Sequence, residues 1–271
     1  MDIESLGKSA ANRVLILGCG WVGEEFAHAM KLRGNEVWVT TTTEEKKLRL
    51  SEQGFQSVLL DFDSKVVIDG FDMPTTFDFV LNSIPASSRN SQEVLLERFN
   101  CIKLLLEQLT FRKHIYLSSI GIYPDADGLF DENWQDHLDE RLLLAEQTMQ
   151  QADNTLIYRL GGLFGKSRIF AKYFSGKVCR TGNQPANFVH LADVVKLLVL
   201  GFERLRVGEI FNIVAPEHPK KKAVILASAA KYGYAGPSAF ESTFNFQKIV
   251  SGQKIIDELQ YHYKYPSPLK F

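Results

Sequence analysis

VLILGCGWVGEEFAHAM, residues 14–30, contains an apolar run, a glycine turn and an amphipathic stretch. The apolar run predicts a buried strand, and residues 22–32 predict a helix. The glycines between them have the spacing GxGxxG. In such a turn Gly18 permits the tight bend, Gly20 lets backbone approach a pyrophosphate, and Gly23 lets the helix pack close to the strand. The helix N-terminus adds free N–H groups for the anion, so the stretch predicts a dinucleotide-binding turn. A purely structural turn is the alternative.

Short apolar runs alternate with helical patterns through the first half of the chain. The predicted strands are 14–17, 36–40, 56–60, 77–82 and 114–118, and the predicted helices are 22–32, 43–53 and 92–109. Continuous apolar strands separated by helices are typical of a parallel sheet covered on both faces. The second half is less regular. It contains predicted helices at 138–149, 193–202 and 223–232, strands at 155–160 and 209–214, and a glycine-rich turn at 161–165.

These patterns predict an α/β fold, a Rossmann doubly wound parallel sheet with a small C-terminal substrate lobe. No internal repeat or linker is visible, so we expect residues 1–271 to form one unit. Within it, residues 13–165 are expected to form mainly the NAD(P)-binding core. Residues 166–271 are expected to form mainly the lobe, with some elements that return to the sheet.

Charge and composition exclude several classes of protein. Lysine plus arginine (31) nearly equals aspartate plus glutamate (32), which argues against a nucleic-acid-binding surface. Residues 1–13 are polar and lack the basic and apolar regions of a secretory signal, and the run at 14–17 is too short to span a bilayer. Cys19, Cys101 and Cys179 are too widely spaced to form a disulfide framework or metal site. We therefore expect a cytoplasmic protein without a metal and without a membrane or nucleic-acid partner.

The ribose of the cofactor is expected near the end of the second strand. There residues 38–43 read WVTTTT, and no acidic residue occurs before Glu44. An acid would select NAD by accepting bonds from the ribose hydroxyls, whereas threonine hydroxyls tolerate a 2′-phosphate that Lys46 or Lys47 could face. The sequence therefore favours NADP over NAD. The alternative is that Thr43 simply caps the next helix.

Four later segments carry a family resemblance. They are HIYLSSIGIYP (114–124), IYRLGGLFGKSR (157–168), ANFVHLADVV (186–195) and EIFNIVAPEHP (209–219). With them, residues 13–268 resemble an atypical extended member of the short-chain dehydrogenase/reductase superfamily, in the NAD-dependent epimerase/dehydratase family. The arrangement is most similar to small bacterial members with a GCGWxG-type turn. The resemblance implies an oxidoreductase or epimerase that acts on a small or sugar-like substrate.

The resemblance also exposes a gap in the catalytic set. Ser119 matches the serine that hydrogen-bonds the reacting oxygen in this family. The family then uses YxxxK on the next helix, where the tyrosine is the acid/base and the lysine lowers its pKa. Here Leu138 and Leu142 occupy those positions, and no YxxxK occurs between Tyr123 and Tyr158. Any chemistry must therefore use a non-standard acid/base set.

Three neighbouring side chains offer substitutes. Tyr123 and His137 are the candidate proton carriers, so the predicted catalytic residues are Ser119, Tyr123 and His137. Arg141, beside the missing lysine, could hold the ribose. The alternatives are that Tyr123 is a packing aromatic, that His137 is an exposed residue at a helix start, and that Arg141 is a solvated charge. Without a proton carrier, the chain would be a catalytically reduced NAD(P)-binding sensor or regulatory module, or a protein that merely keeps the fold.

The predicted binding residues come from the strand ends and the later segments. The cofactor set is Gly18, Gly20, Trp21, Val22, Gly23, Thr40, Thr41, Thr42, Asp61, Asn82, Ser83, Ile84, Pro85, Ser118, Arg141 and Gly162. Asp61 is placed beside the adenine, although a surface turn would also explain it. The substrate set is Phe164, Arg168, Lys172, Asn187 and Lys254, of which Arg168 and Lys254 could hold a phosphate or carboxylate. His190 is expected to fix the lobe, and Asp193 to cap or anchor the helix that follows.

The helix predicted at 92–109 is apolar over a wider arc than one sheet-facing stripe requires. A homodimer interface would explain that arc, and so would a covered core helix. The expected partners are therefore a small-molecule substrate and a second copy of the chain.

Overall fold

A computed structural model describes residues 11–63, 73–87 and 89–271. In chain order the strands are β1 (Arg13–Leu17), β2 (Glu36–Thr41), β3 (Gln56–Leu59), β4 (Thr76–Asn82), β5 (Thr110–Ser119), β6 (Gly128–Phe130), β7 (Thr155–Leu160), β8 (Gly162–Phe164), β9 (Val178–Cys179), β10 (Phe188–His190), β11 (Ile210–Ile213), β12 (Ala239–Phe240) and β13 (Lys248–Val250). The helices are α1 (Trp21–Leu32), α2 (Glu44–Glu52), α3 (Gln92–Glu107), α4 (Glu140–Gln150), α5 (Phe170–Phe174), α6 (Leu191–Arg204), α7 (Lys221–Tyr232) and α8 (Gln253–Leu259), with a 3₁₀ turn at Ile120–Ile122. Most of the N-terminal segment from which the absence of a signal is inferred lies outside the described residues.

Seven strands form one parallel sheet in the order β3-β2-β1-β4-β5-β7-β11. The order reverses between β1 and β4, which is the switch point where ligands bind in doubly wound sheets. The predicted α/β Rossmann fold is thus confirmed. Each predicted strand of the sheet occurs, within a few residues of its expected bounds.

Helices cover both faces of the sheet. On one face Phe26 of α1 packs on Phe202 of α6, with ring centroids 5.6 Å apart. On the other, Phe99 of α3 packs edge-to-face on Tyr116 of β5 at 5.4 Å. All four rings are buried. Two separate apolar layers therefore hold the strand ends in fixed positions.

Side-chain caps set where the helices begin. Thr43 accepts from the N–H of Lys46 at 3.4 Å, which confirms the capping alternative for that residue. Asp139 Oδ1 accepts from the N–H groups of Arg141 and Leu142, both at 3.1 Å. This cap starts α4 at Glu140, so Leu138 precedes the helix rather than belonging to it.

The glycine-rich segment predicted as a turn at 161–165 is a short strand instead, since β8 pairs with β10. Its glycines permit close approach. A Cβ at Gly161 would lie 2.9 Å from the carbonyl oxygen of Asn187, and one at Gly162 would lie 2.0 Å from Phe188. The bend comes only at Gly165, where φ is +114°.

The remaining short strands pair across long sequence distances, β9 with β12 and β6 with β13. Strand β6 lies before residue 165 and β13 after it, while β11 and α6 return to the main sheet and its covering layer. The division of the chain at residue 165 therefore stays a prediction.

Asp193 connects α6 to the C-terminal segment. Its side chain is 0% exposed and accepts from the hydroxyl of Tyr261 (2.7 Å) and the N–H groups of Lys264 (2.8 Å) and Tyr265 (3.0 Å). The cap of α6 is His190, whose Nδ1 accepts from the N–H of Ala192. Asp193 is therefore an anchor and not a cap.

Lys113 closes the other end of α6. Its Nζ donates to the carbonyl oxygens of Gly201 (2.9 Å), Phe202 (2.8 Å) and Leu205 (2.7 Å). Lys113→Met is expected to lower the free energy of unfolding by about 2 kcal/mol, because it leaves carbonyls at a helix end without their charged donor. Urea unfolding measures the change. Arg112→Met, at an exposed neighbour, is the control and should cost less than about 0.5 kcal/mol; equal losses in the two variants would contradict the role of Lys113.

Candidate functional site

The glycine turn after β1 has a conformation that requires glycine at its first position. Gly18 has φ +74°, and a Cβ there would lie 2.8 Å from Cγ1 of Ile84. The N–H of Gly18 donates to Oγ1 of Thr40, and that of Cys19 to the carbonyl oxygen of Thr40, both at 2.8 Å. The turn is thus held against the end of β2.

The other two glycines of the turn differ in their surroundings. A Cβ at Gly23 would lie 3.0 Å from the carbonyl oxygen of Gly18 and 3.1 Å from Cγ2 of Ile16, so its absence lets α1 approach β1. A Cβ at Gly20 would instead face open space, with its nearest protein atom at 3.9 Å. No side chain caps α1 at Gly20. A bound pyrophosphate fits this space, because the N–H groups of the first helical turn face an anion there.

A cavity of about 380 Å³ lies in front of the turn, at the carboxyl ends of β1 to β4. The predicted cofactor residues in its lining are Gly18, Gly20, Thr40, Thr41, Thr42, Asp61, Ser83, Ile84 and Pro85. Other lining residues are Cys19, Lys46, Leu60, Phe62, Asp63, Ser87, Asn90 and Arg98. The volume suits a small-molecule site. Arg98 could not be found from sequence, because only the fold brings it from α3 to Asp63, which it contacts at 2.6 Å.

The cations beside the threonines are not equivalent. Lys46 lines the cavity, whereas Nζ of Lys47 lies 3.6 Å from a carboxylate oxygen of Glu44. Arg49 donates to both carboxylate oxygens of Glu24, at 2.5 and 2.8 Å. Of these cations, Lys46 is therefore the one that lines the cavity beside the threonines.

Several predicted cofactor residues lie outside this lining. Asn82 is buried, and its Oδ1 accepts from the N–H of Ile84, so it shapes the loop behind the cavity. Ser118 is buried and donates to Glu146. Val22 is buried in the core, which leaves only its backbone near the turn. Trp21 is in the first turn of α1, Arg141 contacts Asp139 at 2.8 Å, and Gly162 lines a second cavity.

Ser119 lies at the end of β5 beside a leucine. Its Oγ accepts from the N–H of Gly121 at 3.0 Å. A Cβ at Gly121 would lie 3.3 Å from Oγ of Ser119 and 3.6 Å from Cδ1 of Leu142. Leu142 thus approaches Ser119 on the side where the resemblance expects a lysine. An aliphatic side chain there can neither carry a proton nor hold a charge.

The two predicted proton carriers, Tyr123 and His137, line neither of the two large cavities. Tyr123 is 1% exposed, and its hydroxyl accepts from Nη1 of Arg159 and donates to Oδ1 of Asn212, both at 2.9 Å. Burial raises the pKa of Tyr123. His137 is exposed in a turn, with φ +51°. The structure supports the packing alternative for Tyr123, because its hydroxyl is committed to interior partners.

A second cavity of about 470 Å³ begins at the 3₁₀ turn that follows Ser119. Its lining consists of Ile120, Gly121, Asp125, Gly162, Thr181, Gln184, Pro185, Asn187, Phe188, Lys221, Phe244, Phe246 and Lys248. Among the predicted substrate residues, the structure places Asn187 here. Lys221 and Lys248 give no sequence signal, because nothing local marks which lysines of a chain will face inward.

The other predicted substrate residues have different partners. Phe164 is buried and packs against Phe170, with centroids 5.1 Å apart, so it cannot contact a ligand without repacking. Arg168 lies over the Trp21 ring at 4.2 Å. Lys172 is exposed on α5, and Lys254 donates to Glu209 at 2.6 Å. Of the predicted substrate residues, Asn187 is thus the one that lines the second cavity, and substrate contact by the others stays a prediction.

Protein YeeZ of Escherichia coli (strain K12) is 30% identical to this chain over 269 residues, which cover 95% of this chain and 97% of YeeZ. The chain belongs to the YeeZ family. No family model matches it.

Solved structures share the fold at lower identity. UDP-glucose 4-epimerase of Thermotoga maritima, solved with UDP-glucose, has a TM-score of 0.78 and 15% identity, over 95% of this chain and 96% of that one. Human epimerase family protein SDR39U1, solved with NADPH, has a TM-score of 0.71 and 16% identity, over 95% and 98%. A functionally unknown conserved protein from Silicibacter pomeroyi reaches 0.75 and 22%, over 96% of both chains. The YeeZ-family chain therefore has the fold of these epimerases.

Within the described part of the chain, no helix combines the length and the apolar character that crossing a membrane requires.

Proposed function

We propose that this protein binds NADP(H) in the first cavity and is an oxidoreductase or epimerase on a small molecule held in the second. The open space at Gly20, in front of an uncapped helix start, carries the proposal. A nicotinamide cofactor would supply the hydride. The NADPH in the human neighbour and the NAD in the solved structure of MoeE5 support a nicotinamide cofactor.

Ser119 is proposed to hold the reacting oxygen of the substrate. Its Oγ already accepts a hydrogen bond from the N–H of Gly121, which leaves the hydroxyl proton to be donated. Its position at the end of β5 supports this role, because the 3₁₀ turn that follows it lines the second cavity. His137 stays the sequence-based candidate for the proton carrier, and Tyr123 is no longer proposed.

A second candidate function is an NAD(P)-binding sensor. The position of Leu142 close to Ser119 favours the sensor, because the family's acid/base pair is expected beside Ser119. A positioned acid or base contributes on the order of 10²–10⁴-fold to a rate, so a site without one turns over slowly. Tight NADPH binding without turnover of any carbonyl compound would favour the sensor.

The enzyme proposal is tested by a screen of aldehydes and ketones with NADPH oxidation as the readout. Ser119→Ala is expected to lower kcat/KM about tenfold, because one hydrogen bond to the reacting oxygen is lost, while the Kd for NADPH stays within twofold. Ser242→Ala, at an exposed serine of the lobe, is the control. Turnover that Ser119→Ala leaves unchanged would show that the reacting oxygen lies elsewhere.

Lys46 is proposed to select NADPH over NADH. Lys46→Met is expected to weaken NADPH binding about tenfold, or about 1.4 kcal/mol, and to leave NADH binding unchanged, because only NADPH has the 2′-phosphate. Fluorescence titration of both cofactors gives the two Kd values. Lys47→Met is the matched control, since that ammonium is paired with Glu44. A Kd for NADPH no lower than that for NADH in the unchanged protein would refute the preference.

The homodimer and the cytoplasmic location also remain proposals. On α3, Val94, Leu96 and Leu104 are exposed, while Phe99 and Ile102 are buried. Exposed leucines on this helix support a second copy as partner.

A further inference from the structure

The charged side chains that line the second cavity are Asp125, Lys221 and Lys248. Two cations and one anion leave the wall with a net positive charge. Burial lowers the pKa of Lys221, while Asp125 raises it and Lys248 lowers it further, so the three groups lie within electrostatic range of one another. Lys248 is buried and Lys221 half-buried, so an anionic ligand in the cavity would offset this excess of positive charge.

Lys248 is held in place from behind. It is buried, and its Nζ donates to the carbonyl oxygen of Tyr123 at 2.7 Å and to Oδ1 of Asp125 at 3.2 Å. Asn187 fixes the strand that carries it, because its Nδ2 donates to the carbonyl oxygen of Lys248 and its Oδ1 accepts from the N–H of Val250. Burial lowers the pKa of Lys248. This ammonium has a defined direction instead of the freedom of a surface lysine.

Lys221 has spare hydrogen-bonding capacity. Its Nζ donates to Oε1 of Gln184 at 2.6 Å, the single acceptor found for it among the described residues. An ammonium has three donors, so two remain for a ligand. Gln184 is itself buried, which keeps the ammonium at the cavity wall.

The walls around the two lysines are apolar and aromatic. Phe188, Phe244 and Phe246 line the cavity. A smaller apolar cavity of about 70 Å³ adjoins it, lined by Phe170, Phe174, Thr181, Phe188, Lys221, Val224 and Ile225. Lys221 lines both cavities. A ligand whose anionic group meets the ammonium can therefore place an apolar group among hydrocarbon and aromatic side chains.

We infer that Lys221 and Lys248 form an anion subsite, and that the second cavity takes an organic acid, a carboxylate with a flat or aliphatic apolar body. The inference deepens the proposed function by naming the class of substrate for the same site. The three phenylalanines of the lining favour an apolar body over the polar rings of a nucleotide sugar. The subsite is distinct from Arg168 and Lys254, whose charges are engaged elsewhere.

The test is calorimetric titration of phenylacetate into the full-length protein, with and without saturating NADPH. Lys221→Met is expected to raise the Kd for phenylacetate at least tenfold, and Lys221→Arg to restore most of the affinity. Lys222→Met is the matched control, because that neighbouring Nζ lies over the Phe240 ring at 4.8 Å and outside the cavity; its Kd should stay within twofold. Lys248→Met is a second variant, and thermal unfolding verifies its fold, since Lys248 also binds interior backbone.

The inference would be overturned by no binding of phenylacetate at millimolar concentration, by unchanged affinity in Lys221→Met, or by equal binding of the neutral analogue 2-phenylethanol. Tighter binding of inorganic phosphate than of phenylacetate would also overturn it, since the apolar body would then contribute nothing. Phenylacetate binding by protein that fails to bind NADPH would refute the proposed function and leave the subsite standing. NADPH binding without any organic-acid binding would refute the subsite and leave the proposed cofactor site unaffected.

Discussion

Gly20→Val is expected to weaken NADPH binding at least about 100-fold while the protein stays folded. The added side chain would fill the open space in front of the first turn of α1, where the pyrophosphate is proposed to lie. Among the described residues, the atom nearest to a Cβ at this position is the carbonyl oxygen of Gly18, at 3.9 Å, so we expect the fold to accommodate the substitution. A 100-fold loss corresponds to about 2.7 kcal/mol of binding free energy.

Calorimetry of NADPH binding measures this loss, and thermal unfolding measures the fold. Gly236→Val is the matched control: a Cβ at Gly236 also has its nearest atom at 3.9 Å, but it lies in the lobe, away from the turn. Gly23→Ala is expected to affect stability instead of NADPH binding. Its Cβ would lie 3.0 Å from backbone, so we expect lost stability. An unchanged Kd in Gly20→Val would refute the assignment of the cofactor site.

Arg159→Met is expected to destabilise the protein by about 3–5 kcal/mol, the usual cost of leaving one partner of a buried ion pair uncompensated. Arg159 and Glu146 are 2% and 1% exposed, and Nη2 of Arg159 lies 2.7 Å from Oε2 of Glu146. Ser118 donates to the same carboxylate, and Tyr123 accepts from Arg159. Removing the guanidinium would leave the carboxylate of Glu146 buried without its charged partner.

Chemical denaturation gives the free energy of unfolding for this comparison. Arg49→Met is the control, because Arg49 makes a similar two-bond contact with Glu24 at the surface and should cost less than about 1 kcal/mol. In the double variant Glu146→Met with Arg159→Met, most of the loss should be recovered, since both charges are removed together. A loss below 1 kcal/mol in Arg159→Met would mean that water reaches the carboxylate.

The central sheet was predictable because its signals are local. Its strands have four to ten residues and most of them contain an apolar run, and the glycine spacing at Gly18, Gly20 and Gly23 identifies the turn from a single segment. The position of the threonines at the end of β2 is predicted by the same β1–α1–β2 unit. These threonines line the first cavity with Gly18 and Gly20, and one strand with the turn that follows it is enough to predict their place.

The short strands outside the central sheet were not predictable by the same means. Strands β8, β9, β10, β12 and β13 have two or three residues each, which is too short for periodicity to show. Their partners are distant in sequence, as in the pairing of Lys248 with Gly128. Because the second cavity is built from these pairings, Lys221 and Lys248 could be recognised only once the strands were in place.

The anchoring of Asp193 has a consequence for synthesis of the chain on the ribosome. The hydroxyl of Tyr261, 68 residues further on, is one of its three donors, and residues 264 and 265 supply the others. At about 5–20 residues per second, translation needs several seconds to produce them. Until then the Asp193 carboxylate lacks these donors, and burying it would leave its charge uncompensated. We therefore expect α6 to dock on the sheet only after residues 261–265 have emerged, later than the glycine turn of the same chain can form.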